Sequence, residues 1–192
     1  ITDKTKAIMP VHLYGLPCNM EKILHLAKKH KLLIIEDAAE SLGSKFESKR
    51  LGTFGDASAF SFFGNKTITT GEGGMVLMRN EEQAELARKL RDHGMNIKKR
   101  YWHDAVGHNF RMTNMQAAIG VAQLERFNEI IDKKRKIANW YNLYLNNTIL
   151  IPQNNHNLYK YENSFWLYTV LINTDVDRDE LMDLLKGYCD GY

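Results

Sequence analysis

The chain has 192 residues, of which 44% are hydrophobic and 26% charged, proportions that are typical of a globular protein with a substantial core. The net charge of +3 argues neither for nor against nucleic acid, and the chain has no long basic run. No apolar run approaches membrane-spanning length, and we expect neither nucleic acid nor a membrane as a partner. Two distant cysteines, Cys18 and Cys189, and seven histidines without metal-type spacing predict no disulfide framework and no metal site, and favour a reducing cytoplasm.

The first 35 residues predict a β–α–β unit. Residues 7–11 and 32–35 are short apolar runs typical of strands, and the second is typical of a strand buried on both faces of a parallel sheet. Residues 19–30 between them carry apolar side chains at helical spacing, with Asn19 as the predicted N-cap. This succession of elements indicates an α/β fold.

A second pair of predicted strands follows in the middle of the chain. Residues 57–63 and 75–78 are apolar, and they flank a loop at residues 66–74 that is rich in glycine and threonine. Glycine-rich turns let the backbone approach a ligand closely, although they also occur in many loops without that role.

Two helices are predicted after these strands. The first covers residues 81–93 and has Gly94 as its C′ residue. The second begins at a capping box formed by Thr113 and Gln116 and is predicted to continue to about residue 145.

The composition changes at residues 146–163, where asparagine, proline and tyrosine replace the helical pattern. Residues 165–173 then alternate like a strand, and residues 178–186 have the spacing of a helix. We therefore predict a large domain over residues 1–146 and an incomplete small α+β domain over residues 147–192. The start without methionine, just ahead of a strand, indicates a fragment of a longer protein.

Three polar residues follow predicted strands, which is where open α/β sheets bind ligands. Asp37 follows the apolar run at 32–35, Ser61 lies near the end of the next predicted strand, and Lys66 comes after it. Each also fits a simpler role, as a solvated loop acid, a strand serine or an exposed loop lysine. These residues alone therefore do not choose a cofactor.

Six ordered motifs add a more specific signal. Together they resemble the DegT/DnrJ/EryC1/StrS aminotransferases, which act on nucleotide-linked keto sugars. The motifs are VHLYG (11–15), EDAAE (36–40), SFFGNK (61–66), GEGG (71–74), RDHG (91–94) and GHNFRM (107–112). The resemblance implies the large domain of a pyridoxal 5′-phosphate (PLP)-dependent transferase, aspartate aminotransferase-like and of fold type I, with a mixed, mostly parallel sheet.

The resemblance also implies roles for individual residues. Lys66 would hold PLP as a Schiff base and then act as the acid/base of the reaction. Asp37 would pair with the pyridinium nitrogen, Glu40 would contact the ring hydroxyl, and Ser61 would bind the cofactor phosphate. Asn109 would reach the phosphate of the cofactor in a neighbouring subunit, because family members are dimers with sites at the interface.

Within the family, the segment at residues 64–70 is most similar to perosamine synthases, which aminate GDP-4-keto-6-deoxymannose. This implies a nucleotide-sugar substrate, an amino-acid donor such as glutamate, and a place in polysaccharide or O-antigen biosynthesis. Some family members carry histidine at the lysine position and dehydrate the sugar, so Lys66 favours transamination. Residues 186–192 do not resemble the family's continuation, which indicates a truncated ending.

Two alternatives remain open at this stage. A catalytically silent remnant, or an interaction module of the same fold, would keep the long helix without the chemistry. An aldolase, or another enzyme that forms a Schiff base without PLP, would explain Lys66 but leave Asp37 without a role.

Overall fold

The computed structural model of the chain describes residues 1–145, 148, 150–152 and 160–189. The described strands are β1 (Ala7–Ile8), β2 (Leu33–Asp37), β3 (Lys45–Phe46), β4 (Lys49–Arg50), β5 (Ala57–Ser61), β6 (Gly74–Met78), β7 (Leu150–Pro152), β8 (Tyr161–Glu162) and β9 (Val170–Ile172). The helices are α1 (Met20–His30), α2 (Glu81–Arg91), α3 (Asn114–Glu125), α4 (Phe127–Tyr144) and α5 (Arg178–Cys189), together with a 3₁₀ turn at Leu13–Gly15.

The central sheet has the strand order β1-β2-β5-β6. Strands β1, β2 and β5 are mutually parallel, and β6 is antiparallel to β5. This is the mixed, mostly parallel sheet and the α/β fold that the sequence predicts. Burial of β2 begins at Ile34, so the expectation of burial on both faces is wrong for Leu33, which starts the strand and is exposed.

Local signals predicted the first two helices well. Asn19 caps α1 by accepting a hydrogen bond from the N–H of Lys22. Helix α2 ends at Arg91, two residues earlier than predicted, and His93 at φ 60° takes the left-handed conformation together with Gly94 at φ 67°. A histidine tolerates this conformation better than a β-branched residue does.

The long helix predicted after Thr113 is two helices. The capping box is present, since Thr113 and Gln116 exchange hydrogen bonds. However, Arg126 leaves helical geometry at φ −102° and ψ 10°, where α3 ends and α4 begins. The two helices contact different partners, because α3 packs on the loop before β6 whereas α4 binds the segment around residue 165.

A small aromatic core lies beside the sheet. Buried Met20, Phe46, Leu51 and Phe54 form one cluster, and Tyr161 packs against it with its ring centroid 5.1 Å from that of Phe46. Strand β3 supplies Phe46, the segment after β4 supplies Leu51 and Phe54, and β3 also pairs with β8. Chain segments more than 100 residues apart therefore share one packed layer.

The later part of the chain differs from the predicted strand at 165–173. Only Val170–Ile172 forms a strand, which pairs with β7. Phe165 has φ 51°, which lies in the left-handed region and outside the β region that a strand requires. Hydrogen bonds with Lys134 and Ser44 hold its segment in this conformation. The predicted helix is present as α5. The domain division at residue 146 stays a prediction, since part of the proposed boundary lies outside the described residues. No helix in the described ranges combines the length and apolarity needed to cross a bilayer.

Candidate functional site

Two neighbouring parallel strands bring the predicted site residues to one edge of the sheet. Asp37 ends β2 and lies in register with Ala59 of β5, and Ser61 ends β5 two residues later. Glu40 follows β2 by three residues, and Lys66 follows β5 by five. Carboxyl ends of parallel strands are where α/β sheets bind ligands, so this edge is the candidate site.

Lys66 lies largely out of solvent at this edge, with 13% of its side chain exposed. Its Nζ is 3.8 Å from Oε1 of Glu40 and 3.9 Å from the ring centroid of Trp166. The distance to Glu40 is that of an ion pair and is too long for a hydrogen bond. The distance to Trp166 lies well within the range of a cation–π contact. The amine is therefore held between a carboxylate and an aromatic face.

Glu40 is fixed by the loop that follows β1. Its Oε2 accepts a hydrogen bond from the N–H of Tyr14 at 2.8 Å. Tyr14 is in the left-handed region at φ 57°, and its ring stacks on Trp166 with centroids 6.1 Å apart. One carboxylate oxygen thus anchors Glu40 while the other faces Lys66.

Asp37 and Ser61 each keep hydrogen-bonding capacity for a ligand. Oδ1 of Asp37 accepts from the N–H of Ala39 at 3.1 Å, and Oγ of Ser61 accepts from the N–H of Phe63 at 3.3 Å. Among the described residues, Oδ2 of Asp37 and the hydroxyl hydrogen of Ser61 have no protein partner. Both side chains are half-buried.

Asn109 is not brought to the other site residues. It is exposed, its backbone bridges to Asp92, and its Oδ1 accepts from Nε of Arg111 at 3.4 Å. In the described part of the chain it makes no polar contact with Lys66, Asp37 or Ser61.

Helix α3 clamps the loop that carries Lys66. Oε1 of Gln123 accepts from the N–H of Thr69 at 3.1 Å, and its Nε2 donates to the Thr69 carbonyl. Gln116, two turns earlier on the same helix, donates to the carbonyl of Glu72 at 3.2 Å. Both backbone groups of Thr69 are therefore bound by one side chain, which restrains the loop three residues after Lys66.

A buried hydrogen bond between two side chains supports this edge of the sheet. Nε2 of His12 lies 3.2 Å from Oε2 of Glu36, and both side chains are fully buried. Nδ1 of His12 accepts from the N–H of Cys18 at 3.1 Å, so the ring proton is on Nε2 and donates to Glu36. This arrangement fixes the loop that contains Tyr14 against strand β2.

Glu36 also accepts three backbone hydrogen bonds, from Gly52, Phe54 and Gly55, at 2.7–2.8 Å. Burial raises the pKa of Glu36, but the bonds from His12 and from these N–H groups lower it more, so the pKa lies below its usual value. Burial and the nearby Glu36 charge raise the pKa of the Cys18 thiol, which therefore stays protonated.

Four contributors to this edge were not singled out from the sequence. Three of them lie inside the motifs at 11–15 and 36–40, namely His12, Tyr14 and Glu36. The motifs therefore marked these positions, but the contacts that the side chains make were not predicted. Trp166 lies 101 positions after its hydrogen-bond partner Asn65, and no periodicity or spacing links the two segments.

Comparison with known proteins shows what this chain is similar to. The sequence profile described as the DegT/DnrJ/EryC1/StrS aminotransferase family matches residues 1–188. The GDP-perosamine synthase of Escherichia coli O157:H7 is 47% identical over 185 residues, covering 96% of this chain and 50% of that protein. The chain thus spans about half the length of the curated relatives it matches.

Solved structures share the fold. The aminotransferase TlmJ from Streptoalloteichus hindustanus matches with a TM-score of 0.90 at 30% identity, over 98% of this chain and 51% of that one. A GDP-4-keto-6-deoxymannose-3-dehydratase variant with bound GDP-perosamine matches with a TM-score of 0.89 at 28% identity, over 97% and 53%. Aminotransferases of this family use PLP. By profile, relatives and fold together, the chain belongs to the DegT/DnrJ/EryC1/StrS aminotransferase family.

Proposed function

We propose that this chain forms the PLP-binding part of a nucleotide-sugar aminotransferase in which Lys66 attaches the cofactor. The observation that carries the proposal is the Lys66 amine, largely withdrawn from solvent and 3.8 Å from Glu40 at the edge where β2 and β5 end. A lysine amine at the ligand-binding edge of the sheet is placed to form a Schiff base with an aldehyde ligand.

The donor set fits PLP chemically. The free Oδ2 of Asp37 can accept a hydrogen bond from a protonated pyridine nitrogen, and the Ser61 hydroxyl can donate to a phosphate oxygen. Glu40 supplies a carboxylate for the ring hydroxyl. Bound PLP supplies the electron-accepting ring through which an amino group is transferred.

Lys66 has two tasks in this proposal. It would hold the cofactor before reaction, and it would afterwards move a proton between the C4′ carbon of the cofactor and the sugar carbon that receives nitrogen. Glu40, whose Oε1 lies 3.8 Å from the lysine Nζ, would orient the amine at the edge before it reacts. Asp37 would keep the ring nitrogen protonated, so that the ring withdraws electrons.

The substrate we propose is a nucleotide-linked 4-keto-6-deoxy sugar, converted to the 4-amino sugar with glutamate as the donor. Support comes from the 47% identity to a GDP-perosamine synthase and from the amino-acid sequence of residues 64–70. The net exchange is balanced, because the ketone becomes an amine as glutamate becomes 2-oxoglutarate. We place the reaction in the cytoplasm, in polysaccharide or O-antigen synthesis.

We also propose a homodimer in which Asn109 serves the partner's cofactor phosphate. The exposure of Asn109, and its lack of polar contact with Lys66 or Ser61 among the described residues, are what such a role needs. Light scattering during gel filtration tests this directly, since a dimer has twice the monomer mass of 22.2 kDa.

The decisive experiment is cofactor trapping on the purified chain. PLP is added, the near-ultraviolet and visible spectrum is recorded, and borohydride reduction is followed by peptide mass spectrometry. We expect a band that borohydride bleaches and a reduced adduct on Lys66. The Lys66→Ala variant loses both, whereas Lys99→Ala, which removes an exposed lysine, keeps both.

Absence of the band in the unaltered chain would contradict the proposal and favour a silent remnant of the fold. A band on Lys66 without 2-oxoglutarate formation from glutamate and GDP-4-keto-6-deoxymannose would support cofactor binding but not the proposed substrate.

A further inference from the structure

Trp166 is the nearest aromatic neighbour of the proposed catalytic lysine, and it comes from the part of the chain beyond residue 146. We propose that Trp166 is a positioning residue for Lys66: its ring holds the amine beside Glu40, and its indole N–H fixes the turn that carries the lysine. This inference rests on the proposed function of Lys66. It adds a residue that neither the motifs nor the resemblance assigned.

Two contacts link Trp166 to the lysine turn. The Lys66 Nζ lies 3.9 Å from the centre of the indole ring, and the indole Nε1 donates to the carbonyl of Asn65 at 2.9 Å. The first contact restrains the end of the side chain, and the second restrains the backbone beside it. Because both contacts come from one rigid ring, they fix the position of the amine relative to the backbone of the turn.

A second lysine–tryptophan pair shows what an incidental contact looks like. Lys99 lies 4.0 Å from the ring centre of Trp102, but both residues are exposed, and they belong to one loop, three positions apart. The Lys66 side chain is only 13% exposed, its partner Trp166 is half-buried, and the two are 100 positions apart. Desolvation strengthens a cation–π contact, so only the Lys66 pair is placed to restrain its lysine.

The segment that presents Trp166 is held from two sides. Helix α4 binds its backbone, since Nζ of Lys134 donates to the carbonyls of Phe165 and Trp166 at 3.4 and 3.3 Å. On the other side, the N–H of Ser164 donates to Oγ of Ser44 at 2.9 Å, and that hydroxyl donates to the carbonyl of Gly15 at 2.6 Å. Trp166 is thereby tied to the loop that carries Tyr14.

The backbone is strained where these ties converge. Phe165 has φ 51°, and its N–H donates to Oδ1 of Asn163 at 2.6 Å. A bulky aromatic residue in this region costs free energy and persists only where surrounding contacts impose it. The strain turns the chain so that the Trp166 ring faces Lys66 and stacks on Tyr14.

The first test measures how readily Lys66 reacts, without any cofactor. The 192-residue chain is acetylated with a small water-soluble reagent, and the rate at Lys66, relative to the exposed Lys29 of α1, is followed by peptide mass spectrometry. We expect Trp166→Leu to raise the Lys66 rate about tenfold, and Trp166→Phe, which keeps a ring, to raise it less than about threefold. Trp102→Leu is the matched control and leaves the Lys66 rate unchanged.

Equal Lys66 rates in the unaltered chain and a folded Trp166→Leu variant would overturn the inference. If Trp166→Leu does not fold, tryptophan fluorescence tests the inference without replacing Trp166. In a Trp102→Phe/Trp140→Phe background, whose two sites are about half exposed, all tryptophan emission comes from Trp166. Lys66→Met should change its intensity and wavelength, whereas Lys99→Met should not. An unchanged spectrum in Lys66→Met would also overturn the inference. Neither readout depends on PLP, so the proposed function can fail independently.

Discussion

The imidazole Nε2 of His12 donates to Oε2 of Glu36 at 3.2 Å in a site that excludes solvent from both side chains. This contact ties the loop after β1 to the strand that ends at Asp37. The same carboxylate binds the N–H groups of Gly52, Phe54 and Gly55. Glu36 therefore joins three chain segments beneath the candidate site.

Replacing Glu36 by glutamine should destabilise the fold by about 3 kcal/mol, because a neutral amide cannot accept all four hydrogen bonds and its NH₂ group has no buried acceptor of its own. Urea unfolding measures the change in the free energy of unfolding. Glu82→Gln on the exposed face of α2 is the control, expected within about 0.5 kcal/mol of the unaltered chain. Equal effects of the two substitutions would argue against a structural role for Glu36.

Glu36 should also affect how the stability of the fold depends on pH. The folded pKa of Glu36 is depressed, so its contribution is fully present above the ordinary value of 4.5 and is lost as pH falls through the lower folded value. We expect the free energy of unfolding to decline below about pH 4.5, with a shallower decline in Glu36→Gln. Unfolding curves at several acidic pH values test this, and parallel slopes for both proteins would contradict it.

Gly15 is required where the loop of Tyr14 meets the Trp166 segment. It has φ 95°, and a Cβ there would lie 2.6 Å from Oγ of buried Ser164 and 2.7 Å from Oδ1 of Asn163. Gly15→Ala should therefore cost at least about 3 kcal/mol, from backbone strain and overlap together. Thermal unfolding measures the loss.

Gly71 provides the matched control for that substitution. Its φ is similar, at 79°, but a Cβ there meets no atom within 4 Å, so Gly71→Ala should cost only about 1 kcal/mol. A Gly15→Ala variant no less stable than Gly71→Ala would mean that the Ser164 segment does not pack as described.

Gln123 should control the mobility of the lysine loop. Gln123→Ala removes both hydrogen bonds to the backbone of Thr69, so the free energy of unfolding should fall by about 1–2 kcal/mol. Hydrogen exchange at the Thr69 amide should accelerate at the same time. Gln83→Ala, on the exposed face of α2, should leave the Thr69 exchange rate unchanged. An unaffected Thr69 amide in Gln123→Ala would show that α3 does not restrain the loop.

The sequence by itself determined the succession β1, α1, β2, β5, β6 and α2, the caps at Asn19 and Thr113, and the family to which the chain belongs. These features depend on periodicity, on side-chain hydrogen bonds three residues apart and on ordered motifs, which are local properties of the chain. The placement of Asp37 and Lys66 after strands follows from the same local signals. The two strands that they follow lie side by side because β2 pairs in parallel with β5.

Only the tertiary structure decided the break at Arg126, the burial of Glu36 with His12, and the contact of Trp166 with Lys66. Each depends on residues far apart in sequence whose packing overrides local preference. Residues 165–173 alternate like a strand, yet Lys134 and Ser44 hold the beginning of that stretch in another conformation. Local sequence patterns predict the secondary structure that a segment favours, whereas long-range contacts determine whether the segment adopts it in the folded chain.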